Sequence, residues 1–445
     1  MVCGALVLPV VDDTLRGMSN ANRLPDPVAQ RHFAEVVVRQ LREAGFQALW
    51  AGGCVRDMLL GQQPVDYDVA TDAEPEQIRV LFGRRRTIAV GAAFGVITVL
   101  GPRDAGQIEV ATFRRDLGYT DGRHPDAVAF SSAEEDARRR DFTINGLFFD
   151  PVEQRVIDYV DGQADIRRRV IRAIGSPRER FSEDKLRMLR AVRFAARLGF
   201  ALEADTQAAI AAMAAGLDAV SPERIGQEMR KLLVAPHRVT GVRMLIETRL
   251  AEQVLPEILP SKQQSGLPAA SRQCPGAGFL VEALTVLERL GQSPSFPLAL
   301  AAVLLPFGHE TDVIARLTSR WRLTNDESDR VRWLLVNVGI IREARGRAFS
   351  ALQPLLIHPG VGELITLADA RWPGSEDVEF FRTQSQRPRA ELDPPPLLTG
   401  TDLIANGMTP SPAFGRWLGE VRRAQLDGEI HSRDEALAMI DQMNR

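Results

Sequence analysis

Residues 52–68 of this 445-residue chain read Gly-Gly-Cys-Val-Arg-Asp-Met-Leu-Leu-Gly-Gln-Gln-Pro-Val-Asp-Tyr-Asp. Two aspartates two apart on a strand point to one face. Asp66 and Asp68 are therefore expected to hold hard divalent cations between them, while Val65, Tyr67 and Val69 turn to the core. Magnesium takes such oxygen ligands, and a pair of ions would activate an attacking hydroxyl and stabilise departing pyrophosphate, as two-metal phosphoryl-transfer sites do. Gly52 and Gly53 follow the apolar Ala48–Ala51 and would let amides at a helix N-terminus approach a triphosphate, with Arg56 and Asp57 in that helix's first turn. A glycine turn followed by an Asx-rich loop is the plainer reading of the same residues, because Asp-x-Asp alone is common. The strand Gln107 to Phe113 offers a third carboxylate, Glu109, on the face opposite Ile108 and Val110. If the two strands are neighbours, Glu109 would ligate a metal and help to deprotonate a 3′-hydroxyl.

These groups need a scaffold to hold them. Residues 1–25 show no clear periodicity and read as a loose extension, with Met18 as an alternative start. A helix is expected from about Pro27 to Ala44, capped by Asp26 and opened by the proline. From Ala48 to about Tyr159, β-rich runs such as Gly95–Leu100 and Gln107–Phe113 alternate with turn signals and helices, which indicates an α/β or α+β domain. After Arg167 the spacing turns helical, as in Leu186, Leu189, Val192, Phe194 and Leu198. The remainder reads as almost wholly helical, with linker-like composition at 259–277 and 384–398. The length predicts two to four domains.

Composition narrows the function classes. A hydrophobic share of 45% suits a globular chain, and no apolar run reaches the 18 or more residues of a membrane span. The stretch Val2 to Val11 lacks the basic leading region and cleavage site of a secretory signal, so a cytoplasmic protein is expected. Cys3, Cys54 and Cys274 are odd in number and far apart, which argues against disulfides and zinc. The net charge is −3, yet between Arg167 and Arg197 ten arginines and one lysine face three acids, and further clusters stand at Arg84–Arg86 and Arg138–Arg140. Such local excess can neutralise phosphates; a solvated helix face is the alternative for any one cluster.

The ordered series Gly-Gly-Cys-Val-Arg-Asp (52–57), Asp66-Tyr-Asp68, Glu-Val-Ala-Thr-Phe-Arg (109–114), Asp-Gly-Arg-His-Pro (121–125), Arg-Arg-Asp-Phe-Thr-Ile-Asn-Gly (139–146) and Arg-Phe-Ser-Glu-Asp-Lys-Leu-Arg-Met-Leu-Arg-Ala-Val-Arg-Phe (180–194) resembles the class II tRNA nucleotidyltransferase and bacterial poly(A) polymerase family. The resemblance covers roughly residues 30–235 and resumes near the C-terminus. It implies an α+β fold: a polymerase-β-like head with a mixed sheet at 26–166, followed by an all-α neck at 167–236 for base selection and RNA binding. A helical body at 237–383 and a linker and tail at 384–445 that binds tRNA would complete it. It makes Asp66 and Asp68 the metal ligands and Glu109 the third carboxylate. It sets Gly52, Gly53 and Arg56 at the triphosphate, and Arg139, Arg140 and Asp141 near the ribose, where a carboxylate accepting from the 2′-hydroxyl separates ribonucleotides from deoxynucleotides. Arg190 joins the nucleotide-binding set. Without the other motifs, residues 139–141 would read as a charged turn before a strand from Phe142 to Phe149.

Base choice follows from hydrogen bonding. Asp184 and Arg187 lie three apart on an expected helix and so share a face, presenting an acceptor beside a donor. Cytosine and adenine complement that edge through an amino group next to a ring nitrogen; guanine and uracil offer the reverse order and would leave buried polar groups unpaired. Ser182 capping the helix, with Glu183 and Asp184 favouring its dipole, is compatible with this. Glu223–Leu233 resembles the family's supporting neck helix, with a structural role.

Toward the C-terminus, Leu398–Gly415 and Gln425–Ile430 look like the corresponding region of CCA-adding enzymes, which points to tRNA. Residues 279–309 faintly resemble a metal-dependent phosphohydrolase domain, but its His-Asp pair stands here as Leu305-Pro306 and Glu282 falls near another expected histidine. Helical packing without phosphatase activity is expected there. The activity implied is stepwise addition of CMP, CMP and AMP to the tRNA 3′ end from CTP and ATP with Mg2+, Asp116 to Asp136 being the mobile loop for the switch from C to A. Partial CC-adding or A-adding enzymes, a poly(A) polymerase and a catalytically silent RNA-binding protein are the alternatives; oligomeric state carries no sequence signal.

Overall fold

The structure, a computed structural model, describes residues 25–118, 127–259, 275–307 and 311–444. These divide into two compact units: residues 25–117, 127–140 and 144–166 form one, and 118, 141–143 and everything from Arg167 onward the other.

In the first unit, α1 (Pro27–Glu43) starts where Asp26 Oδ1 accepts from the amides of Val28 and Ala29. It buries the stripe Phe33, Ala34, Val37, Val38 and Leu41, the spacing of one helical face. β1 (Ala48–Ala51) follows, then α2 (Gly53–Leu59), β2 (Asp68–Thr71), α3 (Pro75–Phe82), β3 (Thr87–Ile88), β4 (Val96–Leu100) and β5 (Gln107–Thr112). β6 (Arg114–Leu117) and β7 (Ala127–Phe130) pair as a separate antiparallel ribbon. α4 (Ala133–Arg138), β8 (Leu147–Asp150) and β9 (Arg155–Asp158) complete the unit.

Seven strands form one mixed sheet in the order β3-β4-β5-β2-β1-β8-β9. β2 and β5 run parallel and the other neighbours antiparallel. A parallel pair needs a long crossover, supplied here by the chain from α3 through β4. Leu49, Ala70, Phe113 and Phe148 make a core with Ala133 and Ala137 of α4, whose small side chains let the helix lie close. Trp50 stacks on Phe149 and meets Tyr67 edge-on. The strand expected from Phe142 begins instead at Leu147, because residues 143–145 form a 3-10 turn and Phe142 bridges to Ala173.

Among its described residues the second unit is helical apart from one short strand pair, Val170–Ile171 with Ala201–Leu202, and the isolated bridge of Phe142 to Ala173. The helix Leu186–Leu198 buries Leu186, Leu189, Val192 and Phe194 and packs against the helix Pro222–Leu233. At Gly226 the latter meets the main chain of Trp321 so closely that a Cβ there would lie 2.0 Å from the Trp321 carbonyl oxygen. Toward the C-terminus, Leu398, Leu403, Trp417, Val421, Ala436 and Ile440 form their own apolar cluster. The proline-rich stretch read as a linker at 384–398 is pinned, since Arg422 donates to Pro394 O at 2.7 Å and Gln425 to Pro395 O at 2.8 Å. Most of the other linker, at 259–277, lies outside the described residues. Leu305 is buried in helical packing and Glu282 pairs with Arg371 at 3.1 Å. Among the described residues no helix is long and apolar enough to cross a membrane.

Gly226→Ala should lower stability by about 1–3 kcal/mol, because backbone meets the added methyl. Urea unfolding followed by circular dichroism measures this, and an unchanged midpoint would contradict the close helix contact.

Candidate active site

β2 begins at Asp68, so Asp66 stands on the approach to the strand and not within it, as the spacing had suggested. Tyr67 and Val69 are buried as expected; Val65 is 78% exposed, because the chain there has not yet entered the sheet. In the parallel register of β2 and β5, Asp68 lies directly opposite Glu109. Side chains at paired positions share a face, and both carboxylates, with Asp66, line a single cleft of about 810 Å³. That volume is within the range of small-molecule sites.

The carboxylates crowd one another. Although its tip is open to the cleft, Asp68 is raised to about 6, first by the protein mass around it and then by the negative charges of Asp66 and Glu109, with Arg140 opposing. A bound cation would relieve that repulsion, and three hard oxygen donors suit a divalent ion. The three line the cleft without closing into a preformed ligand cluster among the described residues. Beneath them the Cys54 thiol, bonded to Ala51 O, is pushed up to about 12 by burial and by Asp68, which makes it an inert packing group.

Between β1 and α2, Gly52 takes φ +72°, and its amide donates to Leu147 O at 2.9 Å. A Cβ on Gly52 would fall 2.7 Å from Arg140 Nη1, so the missing side chain is what lets the guanidinium lie against the turn. Arg140 also donates to Asp136 at 3.0 Å and to Asn145 O at 3.3 Å, and sits over the Phe148 ring. Arg139 donates to Asp136 and to Arg114 O. Asp136, only 2% exposed, thus anchors both arginines. Burial alone would raise its carboxyl, but Arg140 and Arg139 outweigh this and hold it below the usual range. Sequence reasoning missed Asp136; the signal available was an acid three and four residues ahead of two arginines, the spacing of neighbours on a helical turn.

Arg56 is 3% exposed and donates to Asp57 at 2.7 Å and Asn145 at 2.6 Å. Expected at a triphosphate, it is held under the glycine turn, where a Cβ on Gly53 would be 3.8 Å from its Nη2.

In the second unit, Asp141 accepts from Arg190 at 2.7 and 3.0 Å. Burial would lower the Arg190 pKa, but Asp141 and Glu228 beside it raise it instead. Arg193 pairs with the buried Glu228 and lies over the Phe194 ring at 3.8 Å.

Asp184 occupies the break between the helices Pro177–Glu183 and Leu186–Leu198. Its carboxylate caps the Leu186 amide at 3.0 Å and takes the Arg224 guanidinium in a fork at 2.7 and 3.2 Å. Arg187 turns to Glu183 and to Arg180 O. The two residues do not share one helix as expected, because the extended backbone at Asp184 separates the two helices and only Arg187 lies in the second. Ser182 donates to Arg178 O, and Ser176 supplies the cap of the preceding helix. The basic stretch is partly spent inside the unit, on Glu203, Glu183, Asp141 and Glu228, whereas Arg167, Arg168, Arg169 and Arg178 are exposed.

Residues 48–172 match the family model described as the poly A polymerase head domain, and residues 199–261 the one described as a probable RNA and SrmB-binding site of polymerase A. With the mixed sheet and its carboxylate cleft, these define a nucleotidyltransferase. The chain is 35% identical to the CCA-adding enzyme of Latilactobacillus sakei, covering 91% of this chain and 96% of that one, and 33% identical to that of Enterococcus faecalis, covering 93% and 96%. Among solved structures, the Bacillus stearothermophilus CCA-adding enzyme in complex with CTP superposes with a TM-score of 0.73 at 29% identity, covering 94% and 98%. The Thermotoga maritima CCA-adding enzyme complexed with tRNA shares the fold at a TM-score of 0.63 and 20% identity, covering 93% and 95%. The chain belongs to the CCA-adding enzyme family.

A raised carboxyl means that the fold favours the proton. The ionised Asp68 therefore costs stability in full above about pH 6, and the cost disappears as the pH falls through the ordinary value of 3.8. Asp68→Asn should raise the melting temperature in chelator at about pH 8, by an amount that shrinks below about pH 6. Equal melting temperatures across that range would contradict the crowding of the carboxylates.

Proposed function

We propose that the chain is a template-independent RNA nucleotidyltransferase that adds CMP, CMP and AMP from CTP and ATP to the 3′ end of tRNA, building or repairing CCA. The observation that carries this is the register placing Asp68 opposite Glu109, with Asp66 on the same cleft. Near-full-length likeness to CCA-adding enzymes supports it, as does likeness to a relative crystallised with CTP.

In each step the 3′-oxygen of the RNA bonds to the α-phosphorus of the incoming nucleotide. The bond from that phosphorus to the bridging oxygen breaks, and its electron pair leaves with pyrophosphate. Glu109 accepts the hydroxyl proton and passes it to solvent. Asp66 and Asp68 hold divalent ions, taken to be two Mg2+, which when bound supply Lewis-acid activation and charge neutralisation. Gly52 and Gly53 let main chain approach the triphosphate, Arg140 meets its charge, and Arg56 positions the turn through Asn145. Arg139 steadies the loop that presents Arg140. Asp141, held by Arg190, takes the ribose hydroxyl. Asp184 and Arg187 present the acceptor and donor edges to cytosine or adenine, with Arg224 fixing the Asp184 carboxylate. The head is residues 26–166, the neck 167–236, the body 237–383 and the tail 384–445, with neck and tail on the RNA.

Purified protein incubated with tRNA lacking its CCA end, and with labelled CTP and ATP, should extend it by three nucleotides. An extension of one or two would mark a partial enzyme and a long A tract a poly(A) polymerase; no incorporation would end the proposal. Asp68→Ala should abolish turnover and leave tRNA affinity nearly unchanged, and retained turnover would contradict the metal-ligand role.

A further inference from the structure

The cleft that carries Asp66, Asp68 and Glu109 is also lined by the first turn of α1 and by the loop joining β4 to β5. That loop is tied down, since Asp26 N donates to Asp104 O at 2.8 Å and Gly101 N to Gly106 O at 2.8 Å. Gln30 stands in the buried stripe of α1 at a position where the helical period calls for an apolar residue. The residue is only 6% exposed and lines the cleft; its side-chain amide bonds to no described residue and is not among the fully buried unpartnered polar atoms, so it opens to the cleft. An amide that opens to the cleft without a protein partner offers a donor and an acceptor to whatever occupies it. Arg103, exposed on the tied loop, also lines the cleft and forms no ion pair among the described residues. Val65, Leu100 and Pro102 supply apolar wall beside these polar groups, the usual make-up of a small-molecule subsite.

We infer that this part of the cleft is the subsite for the terminal nucleotide of the RNA acceptor, Gln30 bonding its 2′-hydroxyl and Arg103 its 5′-phosphate. The inference rests on the nucleotidyl transfer proposed above. An amide offers a donor and an acceptor, and a ribose 2′-hydroxyl is both; a guanidinium matches a phosphate. The attacking 3′-hydroxyl sits next to that 2′-hydroxyl on the same ribose, so a nucleotide gripped here delivers its nucleophile to the cleft of Asp68 and Glu109.

The test uses the full chain with tRNA acceptors whose terminal residue is either ribose or 2′-deoxyribose, the 3′-hydroxyl being intact in both. Wild-type protein should lose about tenfold in kcat/KM on the deoxy acceptor. Gln30→Leu should lose about tenfold on the ribose acceptor and nothing further on the deoxy one, with the KM for CTP unchanged. Leucine suits the buried stripe, so the melting temperature of this variant should equal or exceed that of wild type, which separates a lost contact from misfolding. Arg103→Ala should raise the acceptor KM and weaken its salt dependence, again at constant CTP KM. A full deoxy penalty retained by Gln30→Leu, or a change in CTP KM in place of acceptor KM, overturns the assignment while leaving the transferase reading intact. No incorporation by wild type on the ribose acceptor would instead remove the transferase reading, and the subsite with it.

Discussion

The site depends on one repulsive arrangement: Asp68 and Glu109 are held side by side by the parallel pairing of β2 and β5. Isolated in solution, two carboxylates would separate. Here the sheet hydrogen bonds fix the backbones, and the charges have nowhere to go except toward a cation or a proton. Asp68 is raised first by burial, and the charges of Asp66 and Glu109 held beside it add to that rise. Stability is given up locally, and the crossover through α3, β3 and β4, with its buried apolar face, makes it up elsewhere.

Within each unit the arginines are sorted by their partners. Asp136 gathers Arg139 and Arg140 behind the glycine turn, Asp57 and Asn145 hold Arg56 beneath it, and in the helical unit Asp141, Asp184 and Glu228 take Arg190, Arg224 and Arg193. Each of these cations is thus held by an acid or an amide. Arginine suits this use, because one fork can bind a structural carboxylate while other donors remain free for phosphate. The arginines from 167 to 169 and at 178 lie exposed, where a nucleic-acid backbone can reach them.

Much of this was legible in the sequence because it is local. The α1 cap at Asp26, the buried face of the helix from Leu186, and the strand carrying Glu109 each follow from the period of a short run. What was not legible is set by contacts distant in sequence or by a single backbone kink. Arg56 was read as facing the substrate because nothing nearby announces Asn145, 89 residues away, as its partner. Asp184 and Arg187 were placed on the face of one unbroken helix, whereas the backbone at Asp184 is extended and its carboxylate takes Arg224, 40 residues on. The 384–398 stretch has the composition of a linker, and only the donors of Arg422 and Gln425 show that its proline-flanked carbonyls are occupied. Gln30 escaped notice because a glutamine in a helix is unremarkable until its burial is known.

The central claim is that the three carboxylates form one proton-coupled cation site. Magnesium titration by calorimetry, in buffers of differing ionisation enthalpy, measures the protons released on binding. Release is expected near pH 6, where Asp68 is partly protonated, to fade by about pH 8, and to be absent in Asp68→Asn. Binding that releases no protons at either pH, or that is equally strong in wild type and Asp68→Asn, would contradict it.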